Sequence, residues 1–355
     1  MNSENTHKFD YQAMLDWAIA CLQSAGASAE VARTTAYYLL EGDMLGYRTH
    51  GLVRLYDNMR WLRDGKSRTE GEVTVVSDRP AIGCWDAGFL PGPYVMPKAI
   101  QAAIDKAKQC GTGTMLLRRS QHVASLAAYL SLATEQQLLI SVMASSPGQR
   151  AVTAHGGKQA VFSPNPFAIG VPTSSQALIF DISLSMTAAG KVRQAKANGQ
   201  RLPYAALVTA DGEWSDDPHT FFAENASAIA PLGGAQLGYK GYGLTLFSEI
   251  WSMALSLHGR QAGADDGDAN SVWIQVIDPA AIGDYAAFQA VTDELLQAAL
   301  NSAAIDPAQP VRLPGQQSHA HKQRQLRHGV EFSDAILRVL QRCADDRQLP
   351  LPAER

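Results

Sequence analysis

Residues 96–183 alternate between segments with helical spacing and short apolar runs, which is typical of helices packed on a sheet. Residues 96–109 and 123–137 are predicted helices, and the runs at 115–117, 138–143, 161–172 and 178–183 are predicted strands. No strand is followed by GxGxxG with an acidic residue about 20 positions later, the dinucleotide fingerprint of the Rossmann fold. The sequence therefore predicts an α/β fold in which any bound dinucleotide is held without that phosphate loop.

The remaining elements are predicted from apolar spacing and from turn residues. We expect two helices in 9–46, a short helix at 52–63, extended chain at 72–85, a helix at 187–198, a loop at 211–218, an apolar helix at 238–259, a mobile acidic surface loop at 263–270, a strand at 271–278, a helix at 284–303, a turn at 313–317 and a final helix at 331–345.

Size and composition limit the classes of protein to which the chain can belong. At 355 residues it exceeds the usual size of one hydrophobic core, so two structural units are expected. A net charge of −4 gives no basic surface for nucleic acid. The four cysteines are scattered, which indicates neither a metal site nor a disulfide framework. The polar N-terminus and the absence of a run of 18 apolar residues indicate a reduced, cytoplasmic protein outside the membrane.

The segment from Asp43 to Arg54, DMLGYRTHGLVR, carries an imidazole and a guanidinium four residues apart. If the segment is helical, His50 and Arg54 share a face. Arg is the side chain best suited to hold a planar carboxylate with two hydrogen bonds, and His is a proton donor near neutral pH. A reductase of a 2-oxo acid needs both groups. The alternative is a helix-capping histidine and a solvated arginine.

Four other positions are candidates for chemistry. His122 is predicted where a strand passes into a helix, whose N-terminus would keep it neutral, or it is simply a cap. Asp181 ends an apolar strand, where it can orient a histidine, accept ribose hydroxyls or form a turn. Lys240-Gly241 opens an apolar helix and suits a phosphate or carboxylate, unless the lysine is solvated. Asn165 lies in an apolar run, either as a buried amide that needs partners or at a strand bulge.

Taken together, these segments resemble the type-2 malate/L-lactate dehydrogenase family, which also includes ureidoglycolate dehydrogenase, 2,3-diketogulonate reductase, sulfolactate dehydrogenase and Δ1-piperideine-2-carboxylate reductase. The resemblance runs from about residue 9 to about residue 340. It rests on six motifs in order: Thr49-His50-Gly51 with Arg54, Ser120-Gln121-His122, Pro164-Asn165-Pro166, Asp181 to Ser185 followed by Gly190-Lys191, Tyr239 to Leu244, and Pro314-Gly315-Gln316.

The resemblance implies a non-Rossmann α/β fold in two domains. A mixed, largely antiparallel sheet domain at about 76–317 would bind NAD or NADP. A helical domain built from both chain ends, about 8–75 plus 318–355, would carry the catalytic histidine segment. The family also implies a homodimer with the active site near the subunit interface, a small carboxylate substrate and no metal.

The resemblance also implies roles for individual residues. His50, His122 and Asp181 would be catalytic, and Thr49, Arg54 and Asn165 would bind substrate. The cofactor would be bound by Ser146, Asp181, Ile182, Ser183, Lys240, Gly241, Gly315 and Gln316. The implied reaction interconverts a small 2-oxo acid and its 2-hydroxy acid. The alternatives are reduction of a cyclic 2-imino acid, or a catalytically silent, dimeric nucleotide-binding paralogue, against which the retention of both histidines argues.

Four departures from the family pattern leave the substrate open. Thr49 replaces a serine but keeps a hydroxyl, and Asn58 stands where a tyrosine often faces substrate. Ala124-Ser125 replaces a glycine-rich segment and would narrow the pocket. Gln316 replaces a glutamate and removes a negative charge expected near the cofactor. The choice between NADH and NADPH also stays open, with Arg193 and Lys196 as candidate partners of a 2′-phosphate.

Overall fold

The computed structural model describes residues 6–261 and 266–355. Its α-helices are α1 (Tyr11–Ser24), α2 (Ala29–Met44), α3 (Leu55–Arg63), α4 (Gly92–Cys110), α5 (Ser131–Thr134), α6 (Ala189–Ala197), α7 (Gly234–Glu249), α8 (Tyr285–Leu300), α9 (Gln316–His328) and α10 (Asp334–Arg347). Its 3-10 helices are Leu52–Arg54, Leu126–Tyr129, Pro218–Phe222 and Pro279–Ala281, and a π-helix covers Ile250–Ala254.

The strands are β1 (Thr6–Phe9), β2 (Thr74–Asp78), β3 (Ile82–Asp86), β4 (Thr112–Ser120), β5 (Leu139–Ser145), β6 (Val152–Thr153), β7 (Ala160–Phe162), β8 (Pro166–Val171), β9 (Leu178–Ser183), β10 (Leu207–Val208), β11 (Trp214–Ser215), β12 (Ala228–Ile229), β13 (Asn270–Ile277) and β14 (Val330–Ser333).

The largest sheet has seven strands in the order β2-β3-β4-β13-β5-β8-β9. Within it, β3 and β4 form the parallel pair and the other neighbours are antiparallel. The expectation of a mixed, largely antiparallel sheet is therefore confirmed.

Helix α4 packs closely on this sheet, and two glycines allow the approach. Gly111 ends α4 in the left-handed region at φ 80°, which glycine adopts without strain. A Cβ on Gly113 would lie 2.0 Å from the carbonyl oxygen of Ala103 in α4. The GxG of this turn thus serves helix–strand packing and not phosphate binding.

A second sheet lies within the region expected to form one sheet domain. Its five short strands run in the order β11-β10-β12-β6-β7. It has its own apolar cluster, which includes Val152, Val192, Leu202, Leu207 and Ile229. Strands of two or three residues give too few alternations to be recognised in a sequence, which is why most of this sheet was not predicted. The two domain boundaries remain predictions.

The two ends of the chain meet in the helical part of the molecule. Strand β1 pairs antiparallel with β14, from Thr6 opposite Ser333 to Phe9 opposite Val330. Helices α1, α2, α3 and α10 pack beside this pair around buried side chains such as Met14 and Leu340. The expected helical unit built from both chain ends is confirmed in its architecture.

Several predictions about elements are wrong. The predicted helix at 123–137 is broken: irregular chain precedes the 3-10 helix Leu126–Tyr129 and the four-residue α5. Ala124 adopts φ 58°, which no α-helix accommodates, and the Tyr129 hydroxyl donates to the Val123 carbonyl at 2.8 Å. Helix α7 begins at Gly234 instead of 238 and continues into the π-helix.

The acidic loop at 263–270 was predicted to be mobile surface. Its residues 263–265 lie outside the described part of the chain, as do residues 1–5. Over 266–270 the prediction is wrong, because Asp268 and Asn270 are buried.

Within the described ranges, no helix combines the length and apolar character needed to cross a membrane.

Candidate active site

A cavity of about 1040 Å³ lies at the junction of the helical part with both sheets. Small-molecule sites usually occupy roughly 300–1,000 Å³, so this one has room for a substrate together with a larger ligand. Its lining comes from the turn after α2, the segment after β4, the ends of β5, β8 and β9, and the start of α6. The predicted site residues on its wall are Thr49, His50, Arg54, His122, Ser146, Asn165, Asp181, Ile182 and Ser183.

His50 and His122 stack face to face in this cavity. Their ring centroids are 5.5 Å apart and the ring planes differ by 11°. The helical spacing that the sequence suggested for His50 and Arg54 is not found. Helix α2 ends at Met44, and His50 lies in the turn before the 3-10 helix that contains Arg54. The prediction that His50 and Arg54 share one helical face is therefore wrong, although both line the same cavity.

Both histidines are neutral at pH 7. Burial, and next the charge of Arg54, lowers the pKa of His50 to about 3. Burial, then Arg54 and His50, lowers the pKa of His122 well below its usual value. The expected helix N-terminus is not the cause, because irregular chain follows His122. His122 Nδ1 accepts the Ala124 N–H at 3.1 Å, so its own proton sits on Nε2. Thr49 Oγ1 and His50 Nδ1 are hydrogen-bonded at 2.8 Å.

The turn that carries His50 is held by a buried carboxyl. Asp43, near the end of α2, accepts the Leu52 N–H at 2.6 Å, and burial raises its pKa to about 7. Gln325 of α9 donates to the Asp43 carbonyl at 2.9 Å. A Cβ on Gly51 would lie 2.3 Å from the Asp43 carboxyl, so the turn has no space for a larger residue. The glycine of the Thr-His-Gly motif is thus required by packing.

Arg54 offers hydrogen-bond donors to a ligand. In the described chain its guanidinium bonds only Asp57, at 3.4 Å, and its side chain is 25% exposed. Asn58, expected where a family tyrosine faces substrate, does not line the cavity. Its amide donates to the Arg54 carbonyl at 2.9 Å inside α3. Ala124 and Ser125 do line the cavity, at the position where narrowing was expected.

Asp181 lies within β9 and lines the cavity, so it is neither at a strand end nor a turn former. It accepts the Ala127 N–H at 2.8 Å and the Ser125 hydroxyl at 3.3 Å. These bonds come from the segment after His122 and not from a histidine ring. Burial raises its pKa to about 6, although the Ala127 and Ser125 donors oppose the shift.

Asn165 is the buried amide that the sequence suggested. It adopts φ 48° and donates from Nδ2 to Glu249 at 2.9 Å, while Ser163 donates its hydroxyl to Oδ1. Glu249 also pairs with Arg260, which in turn donates to the Ser146 carbonyl at 3.1 Å. The ion pair of Glu249 and Arg260 thus holds the wall residues Asn165 and Ser146 in place.

Sequence reasoning missed Glu249 and Arg260. The available signal was that Glu249 is the one charged side chain in the apolar run 241–257. A charge in such a run is buried only with a partner, so it marks a position that needs one.

Four expected cofactor residues do not line the cavity. Lys240 and Gly241 lie well inside α7, so the idea that they open the helix is wrong. Gly241 packs on the backbone of Leu232, where a Cβ would lie 2.3 Å from a carbonyl oxygen. Gly315 is the N-cap of α9 at φ 92°, and Gln316 accepts the Leu313 N–H at 2.9 Å. Their roles toward a cofactor remain predictions.

The cavity suits an anionic dinucleotide. Among its described lining residues are six basic side chains and four carboxyls, although the whole chain carries a net charge of −4. The first turn of α6 lines the cavity, and no side chain caps that helix. Free N–H groups at a helix start favour phosphate. Arg193 also lines the cavity, whereas Lys196 lies 4.5 Å over the Phe222 ring.

The described residues include no group of three or more His, Cys, Asp or Glu side chains able to hold a metal ion.

Comparison with known proteins connects this geometry to a family. The malate/(S)-sulfolactate dehydrogenase of Methanothermus fervidus is 26% identical over 339 residues, which cover 94% of this chain and 96% of the relative. The Δ1-pyrroline-2-carboxylate reductase of Ancylobacter novellus is 29% identical over 332 residues, 90% of this chain and 92% of the relative.

A solved structure and a family model support the same relationship. The crystal structure of malate dehydrogenase from Entamoeba histolytica superposes with a TM-score of 0.91 over 98% of this chain and 100% of that one, at 20% identity, which shows the same fold. The family model described as malate/L-lactate dehydrogenase matches residues 9–341. The chain therefore belongs to the malate/L-lactate dehydrogenase family.

Proposed function

We propose that this oxidoreductase interconverts a small 2-oxo acid and its 2-hydroxy acid with NAD(H) or NADP(H). The observation that carries the proposal is the pair of stacked, neutral histidines beside Arg54 in one cavity. Relatives named for malate, sulfolactate and pyrroline-2-carboxylate act on carboxylates with a C–O or C–N bond at C2. A guanidinium with free donors next to two imidazoles suits such a substrate.

The nicotinamide, when bound, supplies or accepts the hydride at C2. Arg54 holds the substrate carboxylate by its fork of N–H groups. In the direction of oxidation, neutral His50 accepts the hydroxyl proton. In the direction of reduction, His50 must first be protonated. A carboxylate bound at Arg54 favours this, since it offsets the charge that lowers the His50 pKa. His122, with its proton on Nε2, donates a hydrogen bond to the C2 oxygen.

The wall formed by Ser146, Asp181, Ile182 and Ser183, with the first turn of α6, would hold the dinucleotide. Arg193 is the candidate partner of a 2′-phosphate, because it reaches the cavity and Lys196 is engaged with Phe222. Kinetics with NADH and NADPH would show which cofactor this chain uses.

A homodimer, with the active site near the subunit interface, is part of the proposal. Helix α8 has no buried residue, and its Val291 and Leu295 are 58% and 67% exposed. Leu237, Tyr239 and Leu244 of α7 are also exposed. Extended apolar surface of this kind usually marks an interface.

The scattered, free cysteines support a reducing, cytoplasmic location.

The first prediction tests His50. His50→Ala should lower kcat by about 10²–10⁴-fold, the usual contribution of general acid–base catalysis, and leave cofactor binding intact. The measurement is turnover with a 2-oxo acid together with nicotinamide fluorescence on titration. His328→Ala is the control, since that exposed side chain lies at the end of α9. Retention of more than about a third of the activity would remove His50 from the mechanism.

The alternatives are separated by the choice of substrate. A panel of pyruvate, oxaloacetate and Δ1-piperideine-2-carboxylate distinguishes a 2-oxo acid reductase from a cyclic imine reductase. Cofactor binding without turnover on any of them would indicate a catalytically silent nucleotide-binding protein.

A further inference from the structure

The segment that precedes β13 is fixed against the segment of His122. Gln121 Nε2 donates to the Asp266 carbonyl at 2.5 Å, and Gln121 Oε1 accepts the Asp268 N–H at 3.2 Å. The backbone N–H that follows His122 donates to Asn270 Oδ1 at 3.0 Å. These bonds hold Asp268 on the cavity wall beside the histidines.

The Asp268 carboxyl is a buried group at this end of the cavity. Asp268 is only 8% exposed. Its Oδ1 accepts hydrogen bonds from Gln149 and, at 3.4 Å, from Ser146. Burial raises the pKa of Asp268, and Arg54 is the leading influence that opposes the rise. The carboxyl and the guanidinium both line the cavity in which a substrate carboxylate would bind.

Arg54 shares the cavity with carboxyl groups before any substrate binds. Asp57 bonds it at 3.4 Å, Asp268 lines the same cavity, and the two histidines are neutral. Arg60 shares Asp57, also at 3.4 Å. Arg150 lines the cavity but is exposed, where water and salt weaken its charge. One carboxylate can still use the free N–H groups of Arg54, whereas a second negative group that reached Asp268 would meet a buried carboxyl.

We propose that Asp268 is a specificity-determining residue, which restricts the substrate to monoanionic 2-oxo or 2-imino acids whose remaining side chain bears no negative charge. The inference rests on the proposed function and names its substrate class. The carboxyl repels a second carboxylate or a sulfonate on the substrate and accepts a hydrogen bond from a hydroxyl or N–H group instead.

The experiment compares kcat/KM for pyruvate, a monoanion, with that for oxaloacetate, a dianion. The wild type should prefer pyruvate. Asp268→Asn should raise kcat/KM for oxaloacetate about tenfold and change that for pyruvate less than about threefold, since it removes a charge but keeps the shape. Asp211→Asn, which removes an exposed carboxylate outside the cavity, is the matched control and should leave the ratio unchanged.

Asp268→Ser provides a second variant without the charge, in case the asparagine disturbs the bond with Gln149. A ratio that stays at the wild-type value in every folded variant, or a wild type that prefers oxaloacetate, would overturn the assignment of Asp268. Absence of turnover on all 2-oxo and 2-imino acids would instead contradict the proposed function, so the two failures are distinguishable.

Discussion

Arg54 is the charge on which the polar side chains of the cavity depend. It lowers the pKa of both histidines and opposes the rise caused by burial at Asp268. Burial is the largest influence on the pKa at all three groups, and the charge of a single guanidinium acts more strongly on buried groups than on surface ones. The position of its planar fork should therefore matter as well as its charge.

Arg54→Lys should raise KM for a carboxylate substrate at least tenfold and lower kcat less, because a lysine ammonium keeps the charge but not the two-pronged geometry. Steady-state kinetics on a 2-oxo acid measure both constants. Arg60→Lys is the matched control, since Arg60 also bonds Asp57 but is more exposed. Equal effects of the two substitutions would contradict a carboxylate clamp at Arg54.

At the residue level, chemistry-bearing side chains in short motifs were predictable. The motif residues Thr49, His50, Arg54 and His122 all line the cavity. Asp268 was not predictable, because its burial depends on long-range contacts with Gln121 that no local pattern shows. Gly315 and Gln316 were assigned to the cofactor through the resemblance alone, and the fold does not bring them to the cavity.

The junction between α2 and the following 3-10 helix is the element that positions His50. Asp43 closes the turn through the Leu52 N–H, and Gly51 passes directly over its carboxyl. The junction is tightly packed, so a small change of volume there must move either the turn or the carboxyl.

Gly51→Ala should destabilise the protein by about 1–3 kcal/mol and reduce kcat, because the added methyl clashes with Asp43. Thermal unfolding and turnover are measured together. Gly283→Ala is the control, since a Cβ there meets nothing within 4 Å. A Gly51 variant as stable and active as this control would show that the turn relaxes freely.

At the level of elements, amphipathic helices were predictable and irregular or polar segments were not. Helices α1, α2 and α10 follow the apolar spacing of the sequence. Helix α9 was not predicted, since it is strongly polar and Gln325 is its one buried residue. Its helical form depends on tertiary contacts such as the bond from Gln325 to Asp43.

For the whole molecule, the buried ionisable groups make stability depend on pH in opposite senses. His50 has a folded pKa of about 3 against 6.5, so below pH 6.5 the unfolded chain binds more protons and the folded state loses stability. Asp43 and Asp181 have folded pKa values of about 7 and 6 against 3.8. Their folded forms bind more protons, so their contribution to stability falls as pH rises from 3.8.

These effects partly cancel in the wild type, and a variant isolates one of them. The comparison is with His50→Gln, which lacks the titrating group. As pH falls from 6.5 to 5, the unfolding free energy of the wild type should decrease relative to that of the variant. The shift should be at most about 1.4 kcal/mol per pH unit. Urea unfolding at several pH values measures it. Curves that stay parallel would mean that His50 has the same pKa in the folded and unfolded states.

The pairing of the two chain ends sets the order in which the enzyme can be completed during synthesis. Strands β3, β4, β5, β8, β9 and β13 are all synthesised before α9, β14 and α10. Yet β1 pairs with β14, and the turn before His50 is held by Gln325. The large sheet can thus form while the His50 turn still lacks its support from Gln325, and we expect activity only after the last helices have packed beside the first.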